Sequence, residues 1–328
     1  MSTGPLRDEH VPAAVEVANA IAEADGSGQY VTLQDFSDTI ADVDLVTDSL
    51  AVWRDGRLAG YGFVPPSHEL GGQSIAQGKG GIHPRSRRAG LGGPLLDWQT
   101  SRARDQAADV MDVEVEAVNA GARALLADRD FRPVRYFKVM RRWYDDQPLS
   151  EPLVPTGFTT IGFEPSYDER LRLAHNEIFA DSWGVSQKDE DDWRRWFTGN
   201  RAFRPAWSSV VLEGDRIAAY ALGYEFPIDT ELTGVRELWI GQVGTRHEYR
   251  GLGLARAAIT AVLRAGQASS CARSSLGVDT GNPTGATHLY ESLGFATVTS
   301  SVLHRLAVRA APAVDAVRTH GPRDQRDR

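Results

Sequence analysis

The sequence predicts an α/β protein built from two tandem domains, each with a mixed sheet flanked by helices. Its 328 residues are about twice the length of a typical single domain. Four residues of the first half recur in the second half, in the same order and at a nearly constant spacing. Within each half, segments with the patterns of strands and helices alternate, which favours a mixed α/β sheet over an all-helical or all-β fold.

The composition narrows the class of function. Hydrophobic residues make up 41% and charged residues 24% of the chain, as in a globular protein. The net charge of −8 disfavours nucleic acid and anionic membranes as partners. Cys271 is the only cysteine, which excludes an intramolecular disulfide, and no residue spacing indicates a metal site. Without a long apolar stretch or a signal-like N-terminus, we expect a cytoplasmic protein.

The repeat is defined by four pairs of identical residues that occur in the same order in both halves. They are Tyr61 and Tyr220 (159 residues apart), Arg87 and Arg250 (163), Asn119 and Asn282 (163), and Phe131 and Phe295 (164). This spacing exceeds that of any solenoid repeat, so we interpret it as duplication of a whole domain.

The domain boundaries should fall where the repeat lapses. Residues 145–155 contain three prolines and should not form regular structure. We therefore predict an N-terminal domain over residues 1–146, a linker over 147–156 and a C-terminal domain over 157–308. Residues 309–328 have little apolar content and are predicted to be a disordered tail.

Each element of the C-terminal half follows from a local pattern. Ser186, with Asp189 three residues later, resembles the start of a helix, and the acidic run 189–192 either stabilises that first turn or attracts a cationic substrate. Apolar runs around a Gly-Asp turn indicate a hairpin. In order, the predicted elements are helix 168–183, helix 186–196, hairpin 208–224, strand 237–243, helix 252–265, strand 274–278, helix 284–293 and a strand from 295. The first half shows the same order and should end in a strand pair.

The turn between strand 237–243 and the next helix has the features of an anion site. Gly251 and Gly253 allow a tight turn that brings backbone N–H groups together. The start of a helix adds unsatisfied donors, and Arg250 adds a cation. The natural ligand is a phosphate or pyrophosphate.

Three other interpretations of the glycines fit the sequence less well. A P-loop is excluded, because Gly80 stands where the motif needs Ser or Thr. A Rossmann dinucleotide site would need a third glycine where Arg256 and Leu95 stand. A plain strand-to-helix turn would not explain why the arginine and glycines recur in both halves.

At these residues the chain resembles the GNAT superfamily of N-acetyltransferases. Arg250-x-x-Gly253-x-Ala255 is similar to its coenzyme A pyrophosphate signature, and Asn282 to Phe295 resembles its second signature. The resemblance covers about residues 157–308. Residues 83–92 and 119–126 extend it to the first half, and the tandem layout is similar to that of actinobacterial mycothiol synthases. The implied fold is two tandem GNAT-like domains, each with a mixed, mostly antiparallel twisted sheet flanked by helices.

The resemblance implies an N-acetyltransferase that uses acetyl-CoA as cosubstrate and acetylates the primary amine of a small molecule. The strand before the turn should separate from its neighbour and leave amides free for the pantetheine arm. The implied coenzyme-binding residues are Val243, Thr245, Arg250, Gly251, Leu252, Gly253, Leu254, Ala255 and Asn282. A possible second coenzyme A site comprises Ile82, Arg87, Arg88, Ala89, Gly90, Leu91 and Gly92.

Two residues are candidates for proton transfer. The family places a tyrosine near the thioester sulfur, which makes Tyr290 the candidate acid; the less favoured alternative is a core tyrosine packed beside Leu289 and Leu293. Glu237 is the candidate base, because its distance from Arg250 matches the position of the catalytic glutamate in mycothiol synthases. A chain of water molecules, His247 or His288 are alternatives.

The first half lacks both groups. The spacing of the repeat places Ser74 opposite Glu237, and Leu126 or Ala127 opposite Tyr290. None of these side chains can act as the missing acid or base, so we expect the N-terminal domain to be non-catalytic.

The acceptor and the oligomeric state are not fixed by the sequence. Trp239, Tyr224, Glu225 and Trp193 are candidate cleft residues, and the acidic balance is compatible with a cationic amine. A non-catalytic protein that senses or carries acyl-CoA is the alternative function, and the pair of Glu237 and Tyr290 argues against it.

Overall fold

The computed structural model describes residues 1–145, 148–281 and 285–309. Elements are numbered here in chain order. The N-terminal half contains β1 (Ser2–Gly4), α1 (Val11–Asp25), α2 (Leu33–Thr39), α3 (Leu45–Asp48), β2 (Ser49–Arg54), β3 (Arg57–Phe63), β4 (His68–Leu70), β5 (Gln73–Gln77), β6 (Lys79–Ile82), α4 (Gly92–Asp105), β7 (Val110–Glu116), α5 (Ala120–Ala127) and β8 (Arg132–Trp143).

The C-terminal half repeats the order of strands and helices. It contains β9 (Thr159–Gly162), α6 (Asp168–Ile178), α7 (Glu190–Trp196), β10 (Ser209–Glu213), β11 (Arg216–Tyr224), α8 (Pro227–Thr233), β12 (Glu237–Thr245), α9 (Leu254–Ala268), β13 (Arg273–Asp279), α10 (Ala286–Ser292) and β14 (Ala296–Ala307). None of the helices in the described ranges has the length and apolar content that a membrane span requires.

The strands form two sheets. One has ten strands in the order β4-β5-β7-β14-β8-β13-β12-β11-β10-β9, and the other has four in the order β1-β2-β3-β6. The pairs β5–β7 and β12–β13 are parallel, and the remaining pairs are antiparallel. The predicted class, a mixed and mostly antiparallel α/β fold, is confirmed.

The closing strand of each half is inserted into the other half. β8 lies between β13 and β14, and β14 lies between β8 and β7. The predicted strand pair at the end of each half is therefore wrong, because each half ends in one long strand that pairs across the molecule. Alternation along a strand shows which face is buried but not which strand is the neighbour.

Local sequence explains the hairpins. Asp55 and Gly56, between β2 and β3, both have positive φ (51° and 74°), as a two-residue type I′ turn requires. Gly214 has φ 55° in the two-residue turn between β10 and β11. The predicted hairpin over 208–224 is confirmed.

Two predicted helix boundaries in the C-terminal half need correction. Ser186 does not cap a helix; the cap of α7 is Asp189, whose carboxylate accepts a hydrogen bond of 2.8 Å from the N–H of Asp192. The acidic run thus lies in a first helical turn, where negative charge is favourable. The first predicted helix ends at Ile178 instead of 183.

Helices cover both faces of the C-terminal sheet. Leu254, Ile259 and Leu263 of α9 are fully buried on one face, because apolar residues recur along α9 at helical spacing. On the other face, Leu171 of α6 and Trp193 of α7 pack against β10 and β11. Strand β12 lies between the two layers, with Leu238 and Ile240 in one apolar cluster and Trp239 against the other.

Candidate active site

Strand β12 leaves its parallel neighbour halfway along its length. It pairs with β13 only from Glu237 to Ile240. Its other edge remains paired with β11 through to Thr245, with a bulge at Gly241. Beyond the bulge, alternate backbone groups on the edge that faced β13 are free of that strand, so the expected separation of the two strands is present.

Gly241 is required at the bulge by close packing. A Cβ atom at this position would lie 2.5 Å from Cε2 of Tyr224. The ring of Tyr224 is buried and packs edge-on against Phe203, and burial raises the pKa of its hydroxyl. Tyr224 therefore supports the bulged strand from within the core.

The turn after β12 has the conformation of an anion cradle. Gly251 and Gly253 have φ of 80° and 84°, and open space surrounds both α-carbons. Among the described residues, the N–H groups of 251–253 have no hydrogen-bond acceptor, and the exposed Arg250 side chain has no partner. The left-handed Gly253 makes α9 begin at Leu254, two residues later than predicted.

The other predicted coenzyme-binding residues lie along the same path. Val243 and Thr245 are on the separated part of β12, and Thr245 Oγ1 is buried without a hydrogen-bond partner in the described part of the chain. Leu252 is exposed and Leu254 is buried. Asn282 lies outside the described residues.

Glu237 is held at the start of β12 by two arginines. Its Oε2 accepts a hydrogen bond of 2.7 Å from Nε of Arg273, and Nη2 of the same arginine lies 2.6 Å from Oε2. Arg141 Nε lies 3.6 Å from Oε1 and donates a hydrogen bond of 3.0 Å to Ser275. Oε1 is buried without a hydrogen-bond partner among the described residues. The carboxylate is thus fixed in place between two arginines, and Oε1 is its oxygen without a hydrogen bond among the described residues.

Glu237 lines a pocket of about 270 Å³ between the two halves of the chain. The pocket is lined by Ser27, Gly28, Gln29, Tyr30, Arg141, Phe226, Asp229, Glu237 and Trp239. Of the predicted cleft residues, the structure brings Trp239 to this pocket. No group of three acidic, histidine or cysteine side chains in the described ranges could hold a metal ion.

Asp229 also lines the pocket, although the sequence did not predict it as a site residue. Asp229 lies on α8, in the connection between β11 and β12, and burial raises the pKa of its carboxyl to about 6. Its Oδ1 accepts a hydrogen bond of 3.4 Å from the N–H of Tyr30, which comes from the other half of the chain. No sequence signal marks Asp229, because its importance depends on this contact between distant segments.

Tyr290 lies on α10 at the edge of the core. It is 8% exposed and packs edge-on against Phe295, with the two ring centroids 6.2 Å apart. Burial raises its pKa to about 12, so the hydroxyl stays protonated at neutral pH and able to donate. The hydroxyl has no hydrogen-bond partner in the described part of the chain.

Three predicted cleft residues, Tyr224, Trp193 and Glu225, lie outside the pocket lining, and Tyr224 is buried beneath Gly241. Trp193 is 2% exposed, stacks on Phe197 and donates its indole N–H to Asp168. Glu225 accepts hydrogen bonds from Arg204 (2.9 Å) and Arg236 (2.7 Å). Trp193 and Glu225 both have structural partners in the C-terminal half.

The N-terminal half has the same backbone design. The segment that corresponds to β12 is interrupted at Gly78, which lies 163 residues before Gly241. Its two parts, β5 and β6, belong to different sheets. In the following turn, Arg88 and Gly90 have φ of 61° and 76° and match Gly251 and Gly253 in conformation.

Its polar groups are arranged differently. Arg87 donates to both carboxylate oxygens of Asp25, and Asn119 donates to the same carboxylate at 2.9 Å. Leu126, at the position that matches Tyr290, is buried in an apolar cluster, and Ser74 pairs with Ser67. The cradle arginine of this half is thus engaged by a residue of its own domain.

Comparison with known proteins agrees with this geometry. The model of the Acetyltransferase (GNAT) family matches residues 169–295. Mycothiol acetyltransferase from Thermobispora bispora is 30% identical over 270 residues, which cover 78% of this chain and 82% of that protein. Mycothiol acetyltransferase from Thermomonospora curvata is 30% identical over 263 residues, with the same coverage of both chains.

Solved structures resemble the whole chain. A GCN5-related N-acetyltransferase from Sphaerobacter thermophilus has a TM-score of 0.75 and 26% identity, covering 95% of this chain and 96% of that one. A tandem GNAT protein from the clavulanic acid biosynthesis pathway has a TM-score of 0.67 and 16% identity, covering 95% and 99%, and it supports the fold alone.

Proposed function

The chain belongs to the GNAT family of acetyltransferases, and on that premise we propose that its C-terminal half transfers an acetyl group from acetyl-CoA to the primary amine of a small molecule. One observation carries the proposal. Strand β12 separates from β13 between a fixed carboxylate, Glu237, and an open turn with free N–H groups at 251–253. A thioester held along the separated strand would lie between the two.

The turn residues fit the pyrophosphate of acetyl-CoA. Positive φ at Gly251 and Gly253 aims their backbone toward open space, and the start of α9 adds a favourable dipole. Arg250 supplies a positive charge that no described side chain neutralises. Thr245 contributes a hydroxyl without an internal partner, at the end of the strand that would carry the pantetheine arm.

Glu237 and Tyr290 are assigned to the two proton transfers. Glu237 takes a proton from the attacking amine while the nitrogen forms a bond to the thioester carbonyl carbon. As the carbon–sulfur bond breaks, Tyr290 gives its proton to the departing thiolate. Arg273 keeps Oε2 of Glu237 occupied, so Oε1 is the oxygen assigned to the transfer.

The N-terminal half is proposed to be non-catalytic, with domain limits at 1–146 and 157–308. It contributes residues 27–30 and Arg141 to the pocket, and its closing strand β8 pairs with β13. Its function is then to complete the acceptor site.

The acceptor is a small amine that enters the pocket between the halves. The relatives at 30% identity are named mycothiol acetyltransferases, so an amine related to mycothiol is the first acceptor to test. Amino sugars and polyamines are the next classes, because the pocket is lined by two carboxylates and several aromatic side chains.

Thiol release from acetyl-CoA in the presence of each amine tests the proposal. The wild-type chain should release thiol in proportion to the amine added, and Glu237→Gln should lower kcat by about 10²- to 10⁴-fold. An acyl-CoA sensor would bind acetyl-CoA but release no thiol with any amine. That outcome would contradict the proposed function.

A further inference from the structure

Asp229 faces the pocket without a direct ion-pair partner among the described residues. It is half-buried on α8. Its one hydrogen bond is the long contact of 3.4 Å from the N–H of Tyr30. A half-buried carboxylate that makes no direct ion pair is unfavourable, so a cationic ligand in contact with it would be stabilised.

The nearby arginines are committed to the other carboxylate. Arg273 makes a hydrogen bond and a close ion-pair contact to Glu237, and Arg141 lies against the same side chain and Ser275. Two arginines and one glutamate leave a net charge of +1 beside the pocket. Ionised Asp229 cancels it, whereas protonated Asp229 would leave the pocket positive and repel an ammonium group.

The remaining walls of the pocket also suit a cation. Tyr30, Phe226 and Trp239 line it, and aromatic faces attract ammonium groups. Asp229 and Glu237 come from the C-terminal half and Tyr30 from the N-terminal half, so the tandem arrangement itself creates the site.

We propose that Asp229 is the counter-ion for the ammonium group of the acceptor, and that the enzyme therefore selects primary amines that are protonated when they bind. This inference rests on the proposed function and adds a specificity-determining residue to it. Asp229 holds the ammonium on entry and forms no covalent bond. When the amine reaches the thioester, Glu237 takes one proton from the ammonium group, which frees the nitrogen lone pair for attack. After Tyr290 has protonated the departing thiolate, its phenolate takes the second proton from the nitrogen of the new amide.

The test compares a protonated amine with a neutral one. Desacetylated mycothiol, glucosamine and spermidine are the cationic probes, and p-anisidine, uncharged at neutral pH, is the neutral probe. In Asp229→Asn the KM for the best cationic probe should rise about 10- to 100-fold, the loss of one charged hydrogen bond, with kcat and acetyl-CoA affinity nearly unchanged. Asp229→Glu should recover part of the affinity.

Glu231→Gln provides the matched control. Glu231 is exposed on the same helix and does not line the pocket, so its loss changes the net charge equally and should leave KM unchanged. An unchanged KM in Asp229→Asn, or a wild-type preference for p-anisidine, would overturn the inference while leaving acetyl transfer intact. A wild-type chain that binds acetyl-CoA but acetylates no probe would instead contradict the proposed function.

Discussion

Arg87 and Asp25 form a bidentate ion pair in the N-terminal half, with Nη1–Oδ1 and Nη2–Oδ2 distances of 2.6 and 2.9 Å. Asp25 is 6% exposed, and Asn119 donates to it as well. Arg250 occupies the matching position in the C-terminal half and has no side-chain partner among the described residues. Of these two equivalent arginines, Arg87 is thus paired within its own domain, whereas Arg250 is available to a ligand.

Alanine substitutions at the two arginines should affect different properties, the first stability and the second acetyl-CoA affinity. Arg87→Ala leaves a buried carboxylate without its cation and should lower the free energy of unfolding by about 1–3 kcal/mol. Arg250→Ala removes an exposed, unpaired side chain and should leave the melting temperature unchanged. It should weaken acetyl-CoA binding about 10- to 100-fold. Thermal melts and calorimetric titration of both variants measure these effects, and a stability loss in Arg250→Ala alone would refute the assignment.

Tyr290→Phe separates catalysis from packing. The change removes one hydroxyl that has no hydrogen-bond partner in the described part of the chain and keeps the ring against Phe295. If the hydroxyl protonates the thiolate, kcat should fall toward the lower end of the 10²- to 10⁴-fold range, because a thiolate is a tolerable leaving group. Acetyl-CoA affinity and melting temperature should be nearly unchanged. A normal kcat would assign the acid to another group, such as His288 or water.

The pH profile of kcat/KM should report the ionisation of Asp229. The pKa of this carboxyl is raised to about 6, mainly by burial and also by Glu237, while the hydrogen bond from Tyr30 and the charges of Arg273 and Arg141 act to lower it. For a cationic amine, kcat/KM should therefore rise with pH through about 6 as the counter-ion forms. Asp229→Asn should lack this acid limb. A limb with the same midpoint in the variant would assign the ionisation to a different group.

The raised pKa of Asp229 predicts that the stability of the fold falls with pH over the range in which kcat/KM rises. A carboxyl whose pKa is raised by folding binds its proton more tightly in the folded state, so its contribution is favourable at low pH and is lost as pH rises through about 6. Asp229→Asn should therefore be more stable than wild type at pH 8 by about 1–2 kcal/mol. Near pH 4 the two proteins should unfold at similar denaturant concentrations. A variant that loses both stability and activity at pH 8 would indicate a structural role for Asp229.

Sequence patterns predicted the elements whose causes are local. The Gly-Asp and Asp-Gly turns fixed the hairpins, and Gly251 and Gly253 marked the left-handed turn before α9. The exchange of β8 and β14 was not predictable, because alternation does not identify a strand's neighbour. Asp25 and Asp229 were missed for the same reason, since their partners Arg87 and Tyr30 lie 62 and 199 residues away.

The most direct test of a single active site in the C-terminal half is acetyl transfer by two matched variants, Gly253→Val and Gly90→Val. Both glycines have positive φ and open space around them, so valine imposes a similar backbone strain of about 1–2 kcal/mol at each. Gly253→Val should block approach of the pyrophosphate and abolish measurable transfer to the best amine probe, while Gly90→Val should retain it. Loss of transfer in Gly90→Val with full activity in Gly253→Val would contradict the account.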